Sequence, residues 1–201
     1  VLAGGSGFLG SKLRAHLERE GHRVLNLTRS PRPNRPGDIP WQPGGSPSQL
    51  ATHLEGADVV INLAGENIAD KRWTAARKAE LQNSRLVATR TIVRAMAACA
   101  RPPKALISGS AVGYYGACGD EPVTESSQPG SDFLDRLCVD WEHEARAVPT
   151  GTRLAIVRSG LVLGEGGALK KMTVPFKLGL GATLGPGDQY MPWIHVDDWV
   201  S

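Results

Sequence analysis

Short apolar runs rich in β-branched residues alternate along the chain with longer segments of helical periodicity. The apolar runs predict strands over residues 1–3, 23–27, 59–63, 105–108 and 153–157, and a further short strand near Ile194. The longer segments predict helices over residues 9–20, 48–54, 74–100, 133–147 and 168–178. Strands that alternate with helices form parallel βαβ units. The pattern therefore predicts an α/β fold with a doubly wound parallel sheet.

Two loops interrupt this alternation. Residues 31–47 contain six prolines and little periodic apolar pattern, so we expect an extended surface connection there. Residues 179–189 are rich in glycine and polar side chains, and they lie between an apolar helix and the segment from Met191 to His195. This second loop is either a mobile lid over a site or an inert turn, and the sequence leaves both interpretations open.

Both ends of the sequence lead us to expect a fragment. Residues 1–3 are too short for the strand that the following glycine-rich segment requires, and a helix begins just before the chain stops at Ser201. We expect an incomplete first strand and a truncated C-terminal region. The 201 residues fit one domain of ordinary size.

Composition and charge exclude several classes of protein. Hydrophobic residues make up 41% and charged residues 21%, as in globular domains. The net charge of +3 is scattered, which argues against a nucleic-acid-binding protein. No apolar run reaches the roughly 18 residues that cross a bilayer. The three cysteines form no CxxC pair, which favours a reducing compartment, so we expect a cytoplasmic protein without nucleic-acid or membrane partners.

A glycine-rich motif lies where the first strand should turn into the first helix. Gly4, Gly7 and Gly10 are spaced as Gly-x-x-Gly-x-x-Gly. The first glycine permits a tight turn, the second lets the backbone approach a pyrophosphate, and the third lets the helix pack closely on the strand. The helix N-terminus then offers free N–H groups to the anion. The motif predicts a Rossmann-type dinucleotide site.

The end of the second strand indicates which dinucleotide binds. An NAD site usually has an acidic residue there, whereas NADP requires a cation. Here the strand runs into Thr28, Arg29 and Ser30, with no carboxylate. A guanidinium and two hydroxyls suit a 2′-phosphate, so we predict NADP(H). The alternative is a solvated arginine at a strand end. Small residues, Ala64-Gly65, end the third predicted strand and either pass beneath a cofactor or simply form a turn.

Seven segments together resemble one enzyme family. They are GGSGFLG (4–10), NLAGENI (62–68), NSR (83–85), SGSAVGYYG (108–116), WE (141–142), RSGLVLG (158–164) and PWIHVDD (192–198). The sequence resembles the extended short-chain dehydrogenase/reductase superfamily of the NAD-dependent epimerase/dehydratase type. Within it, the chain is similar to the atypical epimerase-family or sugar-nucleotide-epimerase-like branch, also called cell-division-inhibitor related. The resemblance implies that residues 1–201 are an NADP-binding Rossmann domain, followed in full-length relatives by a small substrate-binding region.

The motif and the resemblance together define a predicted cofactor site. Its residues are Gly4, Gly5, Ser6, Gly7, Phe8, Leu9, Gly10, Thr28, Arg29, Ser30, Asn62, Leu63, Ala64, Gly65, Glu80, Arg85 and Val162. Two of them have simpler interpretations. Arg85 fits an exposed helix position, and Glu80 has lysines and arginines nearby with which to pair.

The catalytic residues are less clearly indicated. Related oxidoreductases use a Tyr-x-x-x-Lys pair, in which the lysine lowers the pKa of the tyrosine that exchanges a proton with substrate. No such pair exists in this chain, and the corresponding positions hold Leu134 and Cys138. Ser110 occupies the position of the family's substrate-polarising serine. We hypothesise that Tyr114 or Tyr115 supplies the missing acid/base group; alternatively, Ser110 is a turn residue and both tyrosines are packing groups.

Other kinds of site are not favoured by the sequence. His195 and Asp197 lack the further ligands that a metal needs, so we expect no metal, with Asp197 capping a helix instead. Glu142 is expected on a solvated helix face beside buried Trp141. The sequence thus predicts an NADP(H)-dependent oxidoreductase or epimerase-like protein acting on a small or nucleotide-linked carbonyl compound. The alternative is a catalytically inactive NADP(H)-binding sensor or interaction protein; the oligomeric state is undecided.

Overall fold

The strands of the computed structural model, which describes residues 1–183 and 185–201, form two parallel sheets. The strands are β1 (Leu2–Ala3), β2 (Asn26–Thr28), β3 (Asp38–Pro40), β4 (Val59–Asn62), β5 (Ala105–Ala111), β6 (Arg153–Ser159), β7 (Leu161–Leu163) and β8 (Trp193–His195). The main sheet has six strands in the order β3-β2-β1-β4-β5-β6, and β7 pairs with β8 in a small second sheet. This arrangement confirms the predicted doubly wound parallel fold.

The α-helices of the described residues connect and cover the strands. They are α1 (Phe8–Arg19), α2 (Pro47–Leu54), α3 (Ala75–Ala97), α4 (Phe133–Ala145), α5 (Gly167–Lys177) and α6 (Val196–Val200). Helix α3 packs against α2 and α4, whereas α1 packs against α6. Right-handed crossovers running in opposite directions from β1 place these two groups on opposite faces of the sheet. Within the described residues, no helix is both long and apolar enough to cross a membrane.

Local signals explain where the helices begin. The hydroxyl of Ser46 accepts a hydrogen bond from Gln49 N at the start of α2, and Thr74 does the same from Arg77 N at the start of α3. Asp132 and Asp135 form a capping box at α4. These side chains satisfy backbone N–H groups that have no partner within the helix.

The main core lies between the sheet and the α2–α3–α4 layer. Leu27, Val60 and Leu106 project from β2, β4 and β5 and are at most 2% exposed. They meet Ile92 and Met96 of α3, both fully buried. Burial of such side chains contributes about 1.5–3 kcal/mol each. The core therefore fixes the carboxyl ends of the central strands side by side, where parallel sheets place their ligand sites.

The prediction for residues 31–47 was wrong in part, because this proline-rich segment contains β3. Asp38 lies opposite Asn26 in the parallel pairing of β3 with β2. The Asp38 carboxylate also forms an ion pair with Arg14 of α1 at 2.6 Å, and both side chains are 2% exposed. A buried ion pair with a residue far away in sequence holds the strand in place, so the local proline pattern did not reveal it.

Several predicted boundaries also move. The second strand occupies 26–28 instead of 23–27, because it pairs only where β1 and β3 flank it. β5 and β6 extend to residues 111 and 159 through continued pairing with each other. β7 was not predicted, and its partner β8 contains the expected Ile194.

The C-terminal segment corrects one expected cap. His195, not Asp197, caps α6, since its Nδ1 accepts a hydrogen bond from Asp197 N at 3.3 Å. In the loop 179–189, the residues that the structure describes, all but 184, form no helix or strand. Its possible role as a lid stays a prediction.

Candidate functional site

The glycine turn between β1 and α1 leaves no room for side chains at two of its positions. Gly4 has a φ of +87°, and a Cβ there would lie 2.6 Å from the carbonyl of Leu63. A Cβ on Gly10 would lie 2.2 Å from the carbonyl oxygen of Gly4. Only glycine meets these constraints without displacing backbone. The turn thus packs β1, β4 and α1 tightly together.

The start of α1 is open to a ligand. Gly7 is the N-cap residue, no side chain caps the helix, and its first turn contains no acidic residue. A Cβ on Gly7 would meet its nearest heavy atom at 3.5 Å, so the space beside it is free. Uncapped N–H groups and the helix dipole favour an anion at such a position.

A groove of about 920 Å³ runs past this turn across the carboxyl ends of β2, β1 and β4. Such a volume falls within the range of small-molecule and cofactor sites. Ten of the predicted cofactor residues line it: Gly4, Ser6, Gly7, Thr28, Arg29, Ser30, Leu63, Ala64, Gly65 and Glu80. The fold therefore brings together the three segments that the sequence assigned to one site.

The β2 side of the groove is cationic. Arg29 and Arg32 both line it, and no carboxylate follows β2 directly. The Arg29 side chain is 73% exposed, with Nη2 lying 3.5 Å from Glu66 Oε1 across the groove. An exposed guanidinium so weakly paired is available to an anionic ligand.

The opposite side of the groove is polar and comes from the segment after β4 and from α3. Glu66, Glu80, Asn83 and Ser84 line it. Glu80 forms a 2.6 Å ion pair with Arg77, as its simpler interpretation anticipated, and the hydrogen bond from Arg77 holds the pKa of Glu80 below its ordinary value. Glu80 therefore lines the groove as a carboxylate already engaged by a cation.

The floor of the groove contains polar groups whose hydrogen bonding is incomplete. Burial by itself raises the pKa of Asp38, but hydrogen bonds from Asn26 and Arg14 outweigh it and keep the pKa low. Asn26 Oδ1 and Trp41 Nε1 are buried and have no hydrogen-bond partner among the described residues, and both side chains line the groove. Buried polar atoms normally have partners, so the protein leaves the hydrogen bonding of these two atoms unsatisfied.

Four predicted cofactor residues that do not line the groove shape its walls. A Cβ on Gly5 would lie 2.2 Å from Asn26 Oδ1, so Gly5 permits close packing there. Asn62 Oδ1 accepts a hydrogen bond from Ala64 N at 3.1 Å, and Asn62 Nδ2 donates to Thr89 Oγ1 at 2.9 Å. Gly10 packs against Gly4, and Leu9 is half-buried on α1.

The remaining three predicted cofactor residues, Phe8, Arg85 and Val162, contact other parts of the protein. The Phe8 ring packs where a Cβ on Gly164 or Gly166 would stand, and Val162 is buried in β7. Arg85 is not a free surface cation, because Nη2 donates to Glu66 O at 3.0 Å and the guanidinium lies 5.3 Å from the Trp141 ring centroid. Burial lowers the pKa of Arg85.

A buried charged cluster lies at the end of β5. Glu142 of α4 is 2% exposed, which corrects its expected position on a solvated face. Arg158 of β6 binds its carboxylate through Nε at 2.7 Å and Nη2 at 2.8 Å. Ser110 Oγ donates to the same carboxylate at 2.7 Å. Burial by itself raises the pKa of Glu142, but these hydrogen bonds outweigh it and hold the pKa below its ordinary value.

The two candidate tyrosines make different contacts with this cluster. Arg158 Nη1 donates to the Tyr115 hydroxyl at 2.8 Å. The Tyr114 ring lies beneath the Arg158 guanidinium, 3.5 Å from its carbon, and packs edge to face on Tyr115. Tyr115 therefore offers a hydroxyl oriented by a cation, whereas Tyr114 offers a packing surface.

The positions of the usual catalytic pair hold groups unsuited to that chemistry. Leu134 is apolar, and Cys138 is 5% exposed within the same cluster. Burial raises the pKa of the Cys138 thiol, despite a hydrogen bond from the backbone of Ala111. Among the residues that the structure describes, no group of three or more histidines, cysteines and carboxylates is arranged to hold a metal ion.

Comparison with known proteins decides the family. The model of the "NAD dependent epimerase/dehydratase family" matches residues 1–201. The chain belongs to this family. It is 40% identical over 202 residues to "Epimerase family protein SDR39U1" of Bos taurus, covering 98% of this chain and 66% of that protein. It is 42% identical over 203 residues to "Epimerase family protein Mb2239" of Mycobacterium bovis, covering 100% of this chain and 66% of that protein.

A solved structure agrees with this assignment. The crystal structure of human epimerase family protein SDR39U1 (isoform 2) with NADPH superimposes with a TM-score of 0.87 and 38% sequence identity. The alignment covers 99% of this chain and 66% of the human chain. The present chain therefore spans about two thirds of the length of the relatives it matches.

Several groove residues were missed by sequence reasoning. Asp38, Trp41, Gln42 and Pro43 line the groove but come from the segment predicted to be only a surface connection. No local signal marked them. Glu66, Asn83 and Ser84 did lie within motifs that carried the family resemblance, and that signal could have placed them at the site.

Proposed function

We propose that this chain is the dinucleotide-binding part of an NADP(H)-dependent oxidoreductase or epimerase-like protein. Its substrate is a small or nucleotide-linked carbonyl compound. The proposal depends chiefly on the groove, where an uncapped helix N-terminus and the exposed Arg29 face the same space at the carboxyl ends of the central strands. NADPH in the human SDR39U1 crystal structure, which shares the fold and 38% of the sequence, supports the choice of cofactor.

The residues of the groove fit NADPH. The N–H groups at the start of α1 would hold the pyrophosphate beside Gly7, where a side chain would intrude. Arg29 and Arg32, with the Thr28 and Ser30 hydroxyls, would bind the 2′-phosphate. NADPH, when bound, supplies a hydride to a carbonyl carbon.

The cluster at the end of β5 supports a role for Tyr115 in proton transfer. Its oxygen accepts a hydrogen bond from Arg158, so its own hydrogen is free to be donated to a carbonyl oxygen. The same hydrogen bond would hold the Tyr115 hydroxyl in position for this transfer. Ser110 already donates its hydrogen to Glu142, which makes it a positioning residue in this arrangement.

The same cluster also favours a second candidate function. Leu134 and Cys138 supply no catalytic pair, and the Ser110 hydroxyl hydrogen is committed to Glu142. A protein that binds NADP(H) without turning over a substrate would keep the groove and need no acid/base group. Steady NADPH oxidation with any carbonyl compound would exclude this alternative.

Titration with nucleotides tests the proposed cofactor. Nicotinamide fluorescence is followed as NADPH or NADH is added to the full-length protein and to Arg29→Asp. We expect tighter binding of NADPH, and a loss of about 10- to 100-fold in its affinity in the variant, because a charge-assisted contact is worth about 1.5–3 kcal/mol.

Arg19→Asp is the matched control, since Arg19 is similarly exposed, at 68%, but lies at the far end of α1. It carries the same change of charge and should leave both affinities unchanged. Equal or tighter binding of NADH by the unaltered protein would contradict the proposal.

A further inference from the structure

A carboxylate stands opposite the cation that we assign to the 2′-phosphate. Glu66 Oε1 lies 3.5 Å from Arg29 Nη2, and both residues line the groove. The Glu66 side chain is 32% exposed and the Arg29 side chain 73%. Their contact joins the end of β2 to the segment after β4, across the mouth of the groove.

The backbone holds Glu66 at this place. Glu66 N donates to Ser84 Oγ at 3.0 Å, and Glu66 O accepts from Arg85 Nη2 at 3.0 Å. Its second carboxylate oxygen lies 3.8 Å from Arg77, which is already paired with Glu80 at 2.6 Å. Two anchors to α3 thus keep a carboxylate, only partly compensated, in a groove suited to an anion.

We infer that Glu66 is a specificity-determining residue. It competes with the 2′-phosphate for Arg29 and so limits the preference for NADPH over NADH. The inference rests on the proposed binding of NADP(H). Separating an exposed ion pair at 3.5 Å costs little free energy, so Arg29 can exchange Glu66 for a phosphate. The transfer leaves Glu66 near a doubly charged anion, and their repulsion weakens NADPH binding more than NADH binding.

The expected size of the effect follows from Coulomb's law. Removing one negative charge several ångströms from a dianion, in water and moderate salt, should tighten binding by about three- to tenfold. NADH lacks the 2′-phosphate, so its affinity should change by less than about twofold. The effect should shrink at high salt because the charges are exposed and screened.

Glu66→Gln is the direct test, with NADPH and NADH as probes at low and at high salt. We expect the ratio of NADPH to NADH affinity to rise by about three- to tenfold at low salt. Glu55→Gln is the matched control. The Glu55 side chain is 31% exposed and pairs with the exposed Arg101 at 3.2 Å, but it does not line the groove. In Glu55→Gln the ratio of NADPH to NADH affinity should not change.

Each other outcome overturns the inference. If Glu66→Gln lowers the affinity for both NADPH and NADH, Glu66 is a direct ligand of a ribose hydroxyl. If it changes both affinities equally, or neither, Glu66 does not select the cofactor. Failure of the proposed function itself has a different signature, since Arg29→Asp would then leave NADPH affinity unchanged.

Discussion

Replacing Glu142 by glutamine tests the buried charged cluster at the end of β5. The carboxylate is 2% exposed and accepts hydrogen bonds at 2.7–2.8 Å from Ser110 Oγ and from Arg158 Nε and Nη2. A glutamine of the same shape would leave the Arg158 guanidinium without a counterion and would turn an N–H group towards it. Removing one partner of a buried ion pair costs about 3–5 kcal/mol. For a chain of this length, that corresponds to a fall in Tm of roughly 6–20 °C.

The loss of folding stability in Glu142→Gln should depend on pH. The pKa of Glu142 in the folded protein lies below its ordinary value of about 4.3. The carboxylate therefore stabilises the fold fully above about pH 5, and this contribution is lost as pH falls through the folded-state pKa. The stability gap between the unaltered protein and Glu142→Gln should be widest near neutral pH and should narrow on acidification.

Urea denaturation at several pH values measures this gap. Glu144→Gln is a suitable control, because Glu144 of the same helix pairs with Arg90, whose side chain is 46% exposed, so loss of this charge should matter less. The double variant Glu142→Gln/Arg158→Met should lose less stability than the sum of the single losses, since it leaves no uncompensated charge. A gap below about 1 kcal/mol at neutral pH, or one that does not change with pH, would refute the reasoning.

Two further predictions concern the glycine turn and the tyrosines. Gly10→Ala should destabilise the fold by about 1–3 kcal/mol in thermal melts, because its Cβ would lie 2.2 Å from Gly4 O. Gly7→Ala should leave Tm nearly unchanged but weaken NADPH binding in fluorescence titrations. Equal losses of stability in both variants would contradict this geometry. Tyr115→Phe should lower NADPH oxidation over a carbonyl panel by about 10²- to 10⁴-fold, and Tyr114→Phe should not, since it keeps the ring that packs on Arg158. Unchanged turnover in Tyr115→Phe would assign the proton transfer elsewhere.

Local features of the fold and site were readable from the sequence. The spacing of Gly4, Gly7 and Gly10 predicted a tight turn, and the structure has that turn, with no room for a side chain at Gly4 or Gly10. The absence of a carboxylate after β2 and the absence of a Tyr-x-x-x-Lys pair were equally local facts. Such patterns are legible because backbone torsion, periodicity and short spacings are encoded within a few neighbouring residues.

Contacts between distant elements were not readable in this way. The proline-rich segment hid β3, because Asp38 is held by Arg14, 24 residues away in α1. Glu142 was expected in solvent from its charged neighbours, yet Arg158 of β6 buries and neutralises it.

The sequence by itself therefore determined the class of fold, the glycine turn after β1 and the arginine that follows β2. Only the tertiary structure decided that Glu66 faces Arg29, that Tyr115 and not Tyr114 receives the Arg158 hydrogen bond, and that Trp41 reaches the groove. The physical reason is that a charge or a hydrogen-bonding group takes its role from its partners and its burial, and both arise only when remote segments pack together.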